Sequence, residues 1–574
     1  MLYLKRFSMS YKFFSTSMML LHLIFWTILF FSCSNNLNEK NTPEDNLLDS
    51  GITYLLNFDT DGGENISSQT IRQGDNPIKP TIPNKDNYIF IDWYIDKSFS
   101  KKFDFSVPMT NDLTIYALWT NSDTTASKED SYGMYTVTSY NIFNTLAEIS
   151  SSGKNFASFL VTEGVGITEL YRISKALQTY KNIKVSLNFT NSLGLTEIGD
   201  KAFYDCTSLT DIILSDTVKT IGTSAFCNSG LKNITFGNNI SIIKDYAFLS
   251  CKSLINVIIP DSVTSLGREC FSNCSSLSSV IIGNGVTIIN DYTFSLCKAL
   301  TNISFGENIT TIGDYAFYYC SYLKNIVLQN NIISIGNHSF ENCHNLKTIN
   351  LGNSITTIGN SAFSDCYYIT TITIPDTVIK MGGAVFKNCS RLESIIISNK
   401  LKSIESDTFR FCHALANVSI GNNVSYIGER AFSDCIKLSN LILPDSCTEI
   451  KPYAFCDSAI ENIKLGTNLR KISSYAFSEC DKLISITFPQ GLTNIESHAF
   501  EKCRLLENIN IPSNVTSIGN EAFYATSLSN VIFESKTGWS TGSINFSSSE
   551  LADSSLSAIY LKNTYCNDTW IHKS

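Results

Sequence analysis

Residues 195–214 read LTEIGDKAFYDCTSLTDIIL, and variants of this phrase return along most of the 574-residue chain. Residues 263–282 read VTSLGRECFSNCSSLSSVII, and residues 515–533 read VTSIGNEAFYATSLSNVIF. A phenylalanine marks every copy, and successive phenylalanines lie 23 residues apart, or 22 after Phe226 and after Phe455. The fifteen markers are Phe203, Phe226, Phe248, Phe271, Phe294, Phe317, Phe340, Phe363, Phe386, Phe409, Phe432, Phe455, Phe477, Phe500 and Phe523. A fixed period in this range is typical of a solenoid, in which each unit buries its apolar side only against its neighbours.

The repeated unit contains two segments with the pattern of a β-strand. Aligned on phenylalanine, it reads A-F-x-x-C-x-x-L-x-x-I-x-I-P-x-x-V-x-x-I-G. In L-x-x-I-x-I, inward and outward residues alternate, as they do in a strand with one buried face. The V-x-x-I-G segment is a second, shorter extended piece. The sequence therefore predicts a mainly β fold, a solenoid of about fifteen coils of 22–23 residues.

This unit resembles the BspA-like class of leucine-rich repeats, whose units read like VTSIGNEAFY at 515–524. The resemblance covers residues 193–533. It implies an N-terminal cap at 133–192 and a C-terminal cap at 534–574, because the end coils of an array otherwise expose their core. It also implies a bacterial surface protein that acts in adhesion, with other proteins as partners.

The N-terminus has the pattern of an export signal. Basic residues, the last of them Lys12, precede an apolar run at 18–31, which is short for a membrane span. We interpret residues 1–32 as a signal peptide. Cys33 follows in the sequence FFSCS, which resembles the lipobox of bacterial lipoproteins. The resemblance implies a lipid on Cys33, a polar tether at 33–51 and a membrane-anchored protein at the cell surface; ordinary secretion and an uncleaved anchor remain alternatives.

A different pattern occupies residues 52–120, where short strand-like segments alternate with turns. The segments DTDGG, YIFIDWYID and LTIYALW resemble the InlB-type B-repeat. The resemblance implies a small β-grasp-like domain that acts as a stalk or spacer. The polar residues 121–132 that follow are interpreted as a linker. We expect Trp93, Tyr116 and Trp119 to form its core, with carbohydrate stacking as a lesser alternative.

Eighteen cysteines in an exported chain suggest a disulfide scaffold at first, but their positions indicate otherwise. Twelve follow the repeat phenylalanine by three residues, whereas Cys227 and Cys456 follow it directly. The twelve are Cys206, Cys251, Cys274, Cys297, Cys320, Cys343, Cys366, Cys389, Cys412, Cys435, Cys480 and Cys503. One cysteine per coil in a constant register favours a buried ladder of free thiols, each weakly hydrogen-bonded within the turn. Disulfides between coils and a bound metal remain alternatives, but no CxxC motif occurs, and we expect neither a metal nor a cofactor.

Two classes of function have no support in the sequence. The net charge of −9 and the lack of a basic stripe argue against nucleic-acid binding. No HExxH, P-loop or GxGxxG motif is present, and we predict no enzymatic activity. Four histidines fall at turn positions and are expected to be solvated surface residues: His338, His344, His413 and His498.

The outward positions of the L-x-x-I-x-I strand are the candidate binding residues. The second position after leucine is small and polar in every coil, which favours a structural polar ladder over ligand recognition. The position between the two aliphatics varies and mixes aliphatic with polar side chains. The candidate face comprises Ile213, Thr235, Ile258, Ile281, Ser304, Val327, Ile396 and Ile442. Exposed aliphatics among polar groups suit protein contact, although β-branched residues also simply favour strands.

These features together predict a non-enzymatic, surface-anchored protein that binds other proteins through its repeat array. The partners implied by the resemblance are host matrix or plasma proteins, or proteins of neighbouring cells. The alternative is a structural component of the cell envelope whose arrays associate with one another.

Overall fold

The computed structural model describes residues 52–573 except for residues 87, 98–100, 122–125, 163, 193 and 543. The predicted signal peptide, the lipid site at Cys33 and the tether lie outside the described residues. Within the described part of the chain, none of the helices is both long enough and apolar enough to cross a membrane.

Each repeat forms one coil with a two-residue strand on one side and, on the other, a strand of two to five residues that we call the long strand. The long strands are Leu209–Ile213, Asn233–Thr235, Asn256–Ile259, Ser279–Ile282, Asn302–Ser304, Asn325–Val327, Thr348–Asn350, Thr371–Thr373, Ser394–Ile396, Asn417–Ser419, Asn440–Ile442, Asn462–Lys464, Ser485–Ile486, Asn508–Ile511 and Asn530–Phe533. The short strands are Glu197–Ile198, Thr220–Ile221, Ile242–Ile243, Ser265–Leu266, Ile288–Ile289, Thr311–Ile312, Ser334–Ile335, Thr357–Ile358, Lys380–Met381, Ser403–Ile404, Tyr426–Ile427, Glu449–Ile450, Lys471–Ile472, Asn494–Ile495 and Ser517–Ile518. This arrangement confirms the predicted solenoid of fifteen coils.

Neighbouring coils pair in parallel and in register, so equivalent residues lie side by side. Ile258 lies opposite Ile281, which in turn lies opposite Ser304. On the other side of the coil, Thr311 lies opposite Ser334. Because the period equals one coil, every inward residue packs against its own copy in the next coil.

The repeat phenylalanines form one continuous stack through the core. Adjacent ring centroids from Phe203 to Phe523 lie 4.9 to 5.9 Å apart, and the rings are nearly parallel. The backbone of the same turn adds a third set of hydrogen bonds between coils: the Phe203 N–H donates to the Ala225 carbonyl at 2.7 Å. The phenylalanine therefore holds the turn through both its ring and its amide.

The twelve ladder cysteines are buried, and no disulfide joins any of the described cysteines. From Cys251 to Cys503 each ladder thiol donates to the carbonyl of the repeat phenylalanine in the preceding coil, at 3.0 to 3.3 Å. The two shortened coils place Ser229 and Ser458 at this position, where their hydroxyls contact the next thiol at 3.3 and 3.4 Å. The ladder thus requires a small hydrogen-bonding side chain, for which serine is an alternative to cysteine.

The N-terminal cap extends the long-strand sheet and covers its first coil with helices. Its three parallel strands and two helices are Met134–Val137, Phe156–Val161 and Lys184–Asn188, with α1 at Ile142–Ser151 and α2 at Ile167–Thr179. Its last strand pairs with the first long strand, with Asn188 opposite Ile213. Apolar residues of α2, such as Ile173 and Leu177, are fully buried in the common core.

The C-terminal cap closes the other end with an antiparallel strand. Its elements are the strands Trp539–Ser540 and Trp570–His572, the helices Ser548–Ala552 and Ser554–Ile559, and a π-helical turn at Tyr560–Thr564. Trp570 pairs with Ile518 of the last short strand. Trp539 and Trp570 are 2% and 1% exposed, so two large rings cover the end of the array core.

The N-terminal domain is a four-stranded sheet with an apolar layer on each face. Its strands are β1 (Thr53–Asp59), β2 (Gln69–Arg72), β3 (Tyr88–Tyr94) and β4 (Leu113–Asn121), in the order β2-β1-β4-β3. Trp93 and Trp119 lie in the domain's own core. Tyr116 does not: it is half-buried on the opposite face and packs against the core of the cap and array. The prediction that these three residues share one core is wrong for Tyr116, because residues 116 and 119 of one strand point to opposite faces.

The second face of this sheet docks on the N-terminal cap. Tyr94 and Leu118 are buried in the core cluster that runs on into the cap. Arg172 of α2 is 2% exposed, forms an ion pair with the Asp61 carboxylate, and lies 4.9 Å from the Tyr140 ring centroid. The B-repeat-like domain and the cap therefore share a packed interface with an ion pair in it.

Candidate binding face

The long strands expose one side of the sheet along the whole array, and we call this surface the long-strand face. The predicted binding residues all lie on it, one per coil. Thr235 lies opposite Ile213, and Ile396 lies between Thr373 and Ser419. Paired strands are about 4.8 Å apart, so the side chains at this position of successive coils form a row with that spacing, which we call the binding row.

Most of the predicted aliphatic members of the binding row are strongly exposed. Ile258 is 64% exposed and Ile442 is 67% exposed, whereas Ile213 next to the cap is half-buried. Ile281, Val327, Ile396 and Ile532 are also exposed. Apolar side chains exposed in an ordered row favour an interface, because contact with a partner would remove them from water.

The neighbouring outward position carries the predicted polar ladder. The Asn233 amide donates to the Asp211 carboxylate at 2.7 Å, and the Thr348 hydroxyl donates to the Asn325 side-chain oxygen at 2.6 Å. These bonds join adjacent coils across the surface. They agree with a structural role for this position.

At the first outward position after the repeat leucine, the charged side chains differ in sign between the two halves of the array. The charged residues there are Lys232, Lys324 and Lys347 in the N-terminal half, and Glu393, Glu461 and Glu507 in the C-terminal half. All but the half-buried Glu461 are exposed. One side of the long-strand face is thus basic at one end and acidic at the other.

A shallow groove crosses the face in the C-terminal half of the array. It is lined by Ile396 and Ile442 and, between them, by the smaller Ala416, Asn417 and Ser419. Small residues flanked by two isoleucines leave room for an apolar group of a partner. The sequence pattern did not predict this groove, although the small side chains at 416 and 419 were a visible signal.

Two aromatic stacks lie on a different side of the coil, two residues before the repeat phenylalanines. They are Tyr292–Tyr315–His338 and Tyr453–Tyr475–His498, with ring centroids 4.4 to 4.7 Å apart. All six residues have positive φ, a conformation that this turn imposes in every coil. Because the rings stack on one another, their faces are already covered, which argues against a platform for sugars.

These stacks correct the expectation for the histidines. His338 and His498 are half-buried, stacked on tyrosines and hydrogen-bonded to Glu341 and Glu501, so they are not solvated surface residues. His344 stacks on the Tyr367 ring at 4.9 Å, and burial lowers its pKa. Only His413 of the four is exposed.

Comparison with known families identifies both parts of the chain. The model of the BspA type leucine rich repeat region (6 copies) matches residues 196–324, 310–439 and 425–552. The chain therefore belongs to the BspA-type leucine-rich-repeat family. The model of the Listeria-Bacteroides repeat domain matches residues 54–118, the N-terminal four-stranded domain. Proteins of the BspA type are surface proteins, and such repeat solenoids are typically non-enzymatic scaffolds for protein interaction.

Solved structures and curated relatives resemble parts of the chain. A leucine-rich repeat protein from Bacteroides ovatus is 26% identical, with 62% of this chain and 79% of that one covered and a TM-score of 0.43. A leucine rich cell surface protein from Faecalibacterium prausnitzii is 20% identical, with 72% and 94% covered and a TM-score of 0.31. A putative membrane protein from Evansella cellulosilytica is 29% identical over 77 residues, which are 13% of this chain and 12% of that relative. The chain thus spans about an eighth of the length of this curated relative.

Proposed function

We propose that the chain is a surface-anchored adhesin whose long-strand face binds proteins of a host matrix, of plasma or of neighbouring cells. The observation that supports this most is the binding row, in which strongly exposed aliphatic side chains are mixed with polar ones at a regular spacing. In this proposal a lipid on Cys33 anchors the chain, and the Listeria-Bacteroides repeat domain spaces the array from the membrane. No catalytic step is part of the proposal.

Binding on such a face would sum many small contributions. Full burial of one isoleucine is worth roughly 1.5 to 3 kcal/mol, and the row offers several of them at regular spacing. Ordering a partner opposes this gain, so an extended or preformed strand-like segment would bind better than a flexible one. The groove between Ile396 and Ile442 is a place where an apolar side chain of the partner would fit.

A binding panel tests the proposal directly. Purified residues 52–574 are passed over immobilised matrix and plasma proteins, and saturable binding to at least one of them is expected. The double variant Ile396→Glu and Ile442→Glu should then lose at least tenfold in affinity, because two charges would enter an apolar contact (about 1.4 kcal/mol per tenfold).

The matched control is Ile379→Glu. Ile379 is 61% exposed but lies beside the short strands, away from the long-strand face. It should bind like the unmodified protein. Equal losses in the double variant and in this control would place the interaction elsewhere on the array.

The division of charge favours a second candidate, self-association. If two chains faced each other in antiparallel orientation with Lys347 of one opposite Glu393 of the other, Lys232 would also lie opposite Glu507. Such a contact is isologous and closes as a dimer. Sedimentation analysis at low and high salt distinguishes the two candidates: a dimer that dissociates with added salt supports self-association, and a monomer at both supports adhesion.

A further inference from the structure

His498, Glu501 and Glu521 bring three potential metal ligands together near the C-terminal cap. The His498 Nδ1 lies 3.0 Å from Glu501 Oε2 and 3.4 Å from Glu521 Oε2. All three ligand atoms lie within 4.8 Å of one another. Two consecutive coils contribute, since Glu521 belongs to the coil that follows that of His498 and Glu501.

From this geometry we propose that His498, Glu501 and Glu521 bind a divalent transition-metal ion of the Zn²⁺ class. Such ions take one imidazole nitrogen and carboxylate oxygens at about 2.0 to 2.2 Å, which places tetrahedral ligands about 3.4 Å apart. The two measured separations from Nδ1 are close to that value. Three protein ligands leave the fourth position to water, and the mixed nitrogen and oxygen set favours Zn²⁺ over Ca²⁺ or Mg²⁺.

The surroundings hold the three side chains in place. The His498 ring stacks on Tyr475 with centroids 4.4 Å apart and rings 5° from parallel. The His498 N–H donates to the Asn520 carbonyl at 3.0 Å, and the Glu521 N–H donates to the Cys566 carbonyl. The ligands therefore sit on hydrogen-bonded turns, and the side chains are only 14% to 30% exposed.

Electrostatics also favour a cation between these groups. Two carboxylates face one imidazole, so two negative charges lie beside the His498 ring. Lys502 is the nearest basic neighbour: its Nζ lies 3.5 Å from Glu501 Oε1 but is held closer to Glu479 Oε1, at 2.6 Å. A proton on His498 would compensate one charge, whereas a divalent ion would compensate both.

The chain contains a natural control for this site. In the first aromatic stack, His338 and Glu341 occupy the same repeat positions as His498 and Glu501, with Nδ1 2.6 Å from Glu341 Oε2. The position equivalent to Glu521 in the next coil is Ser361. Within the described residues, the trio at His498 is the only group of three or more His, Cys, Asp or Glu side chains with this proximity.

The buried cysteines do not compete for the ion in the folded protein. A thiol must lose its proton to bind a metal. Burial raises the pKa of Cys480, two coils before Glu521, to about 12. Loss of uptake in variants of the three ligands is what assigns the ion to His498 and its two carboxylates.

The experiment is a titration of the tag-free, chelator-treated full chain with Zn²⁺ by calorimetry and with Co²⁺ by visible absorption. We expect one equivalent of metal per chain and a Co²⁺ spectrum of nitrogen and oxygen ligation. Glu521→Ser, which copies the arrangement at His338, should weaken binding at least about tenfold, and so should His498→Gln. Conversely, Ser361→Glu should add a second equivalent beside His338.

Thermal unfolding and the thiol accessibility of each variant verify that it is folded. No uptake by the unmodified chain overturns the proposal, as does uptake that both Glu521→Ser and His498→Gln leave unchanged. A Co²⁺ spectrum dominated by sulfur ligation also overturns it, because the ion would then be bound by cysteines.

Discussion

The interior of the array and its long-strand face differ in how much their side chains vary from coil to coil. Inside, nearly every coil has the same phenylalanine, the same small hydrogen-bonding side chain three residues later and the same aliphatics. On the face, the binding row changes from isoleucine to serine, threonine, asparagine or lysine between neighbouring coils. Interior side chains must fit against copies of themselves, whereas the side chains of the binding row face water or a partner. The repetition thus specifies the fold and leaves the face free to specify binding.

The largest expected effect is on the phenylalanine stack. Phe386 lies between Phe363 and Phe409, with ring centroids 5.7 and 5.9 Å away. Phe386→Ala should destabilise the array by about 3 to 5 kcal/mol, because it removes a buried ring and leaves a cavity. Urea unfolding measures this change, and Ile379→Ala on the surface serves as the control with less than about 0.5 kcal/mol. Similarly small losses of unfolding free energy in both variants would mean that the phenylalanine stack does not stabilise the array.

The cysteine ladder predicts a loss of stability at alkaline pH. Burial raises the pKa of Cys206 and Cys480 to about 12 and also raises the pKa of Cys343, whereas an unfolded thiol titrates near 8.5. Above that pH the unfolded chain loses protons that the folded chain keeps, so the free energy of unfolding falls. The contribution of each thiol is complete below about pH 8.5 and is lost as the pH rises toward 12, at up to about 1.4 kcal/mol per pH unit.

Cys343→Ser isolates one step of this ladder, because serine already occupies the position at Ser229 and Ser458. Between pH 7 and pH 10 the variant should lose less stability than the unmodified chain, by about 2 kcal/mol. Urea unfolding under a reducing agent at both pH values gives the difference. Parallel pH profiles would contradict a buried, protonated thiol at this position.

A smaller effect is expected where the interior is not repeated, at the junction of the N-terminal domain and the cap. Asp61→Ala leaves the buried Arg172 without its main partner and should weaken docking by about 1 to 3 kcal/mol, since Asp61 itself is partly exposed. Hydrogen exchange should show faster opening of the four-stranded domain while the array stays protected. Asp75→Ala is the control, because Asp75 is an exposed carboxylate of the same domain. If both variants exchange alike, the Arg172 pair does not fix this junction.

The smallest effect on stability is expected on the long-strand face. Ile258→Glu and Ile281→Glu should each change the free energy of unfolding by no more than about 0.5 kcal/mol, because both side chains are exposed. Thermal unfolding at neutral pH checks this directly. A loss of several kcal/mol would show that these isoleucines belong to the interior after all.

The repetitive parts of this molecule were the most predictable from sequence. The period and the apolar pattern predicted the solenoid and its number of coils, because a fixed repeat leaves few ways to bury its apolar side. The two families came from the resemblance of particular motifs, VTSIGNEAFY in the repeats and YIFIDWYID in the N-terminal domain. The alternation within one strand would also have separated Tyr116 from Trp119, since residues three positions apart in a strand point to opposite faces. The docking of the N-terminal domain could not be predicted, because Asp61 and Arg172 are 111 residues apart and belong to no shared pattern.

The candidate sites were predicted unevenly for a related reason. The binding row follows from strand alternation, so its residues could be named in advance. The His498 group depends on the turn two residues before each phenylalanine, whose positive φ directs the side chains into stacks. The sequence does contain a signal for this group. The residues two positions before the phenylalanines of three successive coils are Tyr292, Tyr315 and His338, and the same order returns as Tyr453, Tyr475 and His498.

Deleting one complete coil tests most directly the claim that repetition specifies the fold. Removing residues 318–340 takes out one 23-residue period and brings Phe317 into the register of Phe340. The shortened chain should fold, keep its thiols unreactive until denatured and show unchanged near-UV circular dichroism per coil. Removing only residues 318–329 breaks the register and should expose thiols in the native state. An unfolded chain after the full-period deletion, or equal behaviour of the two deletions, would contradict the account.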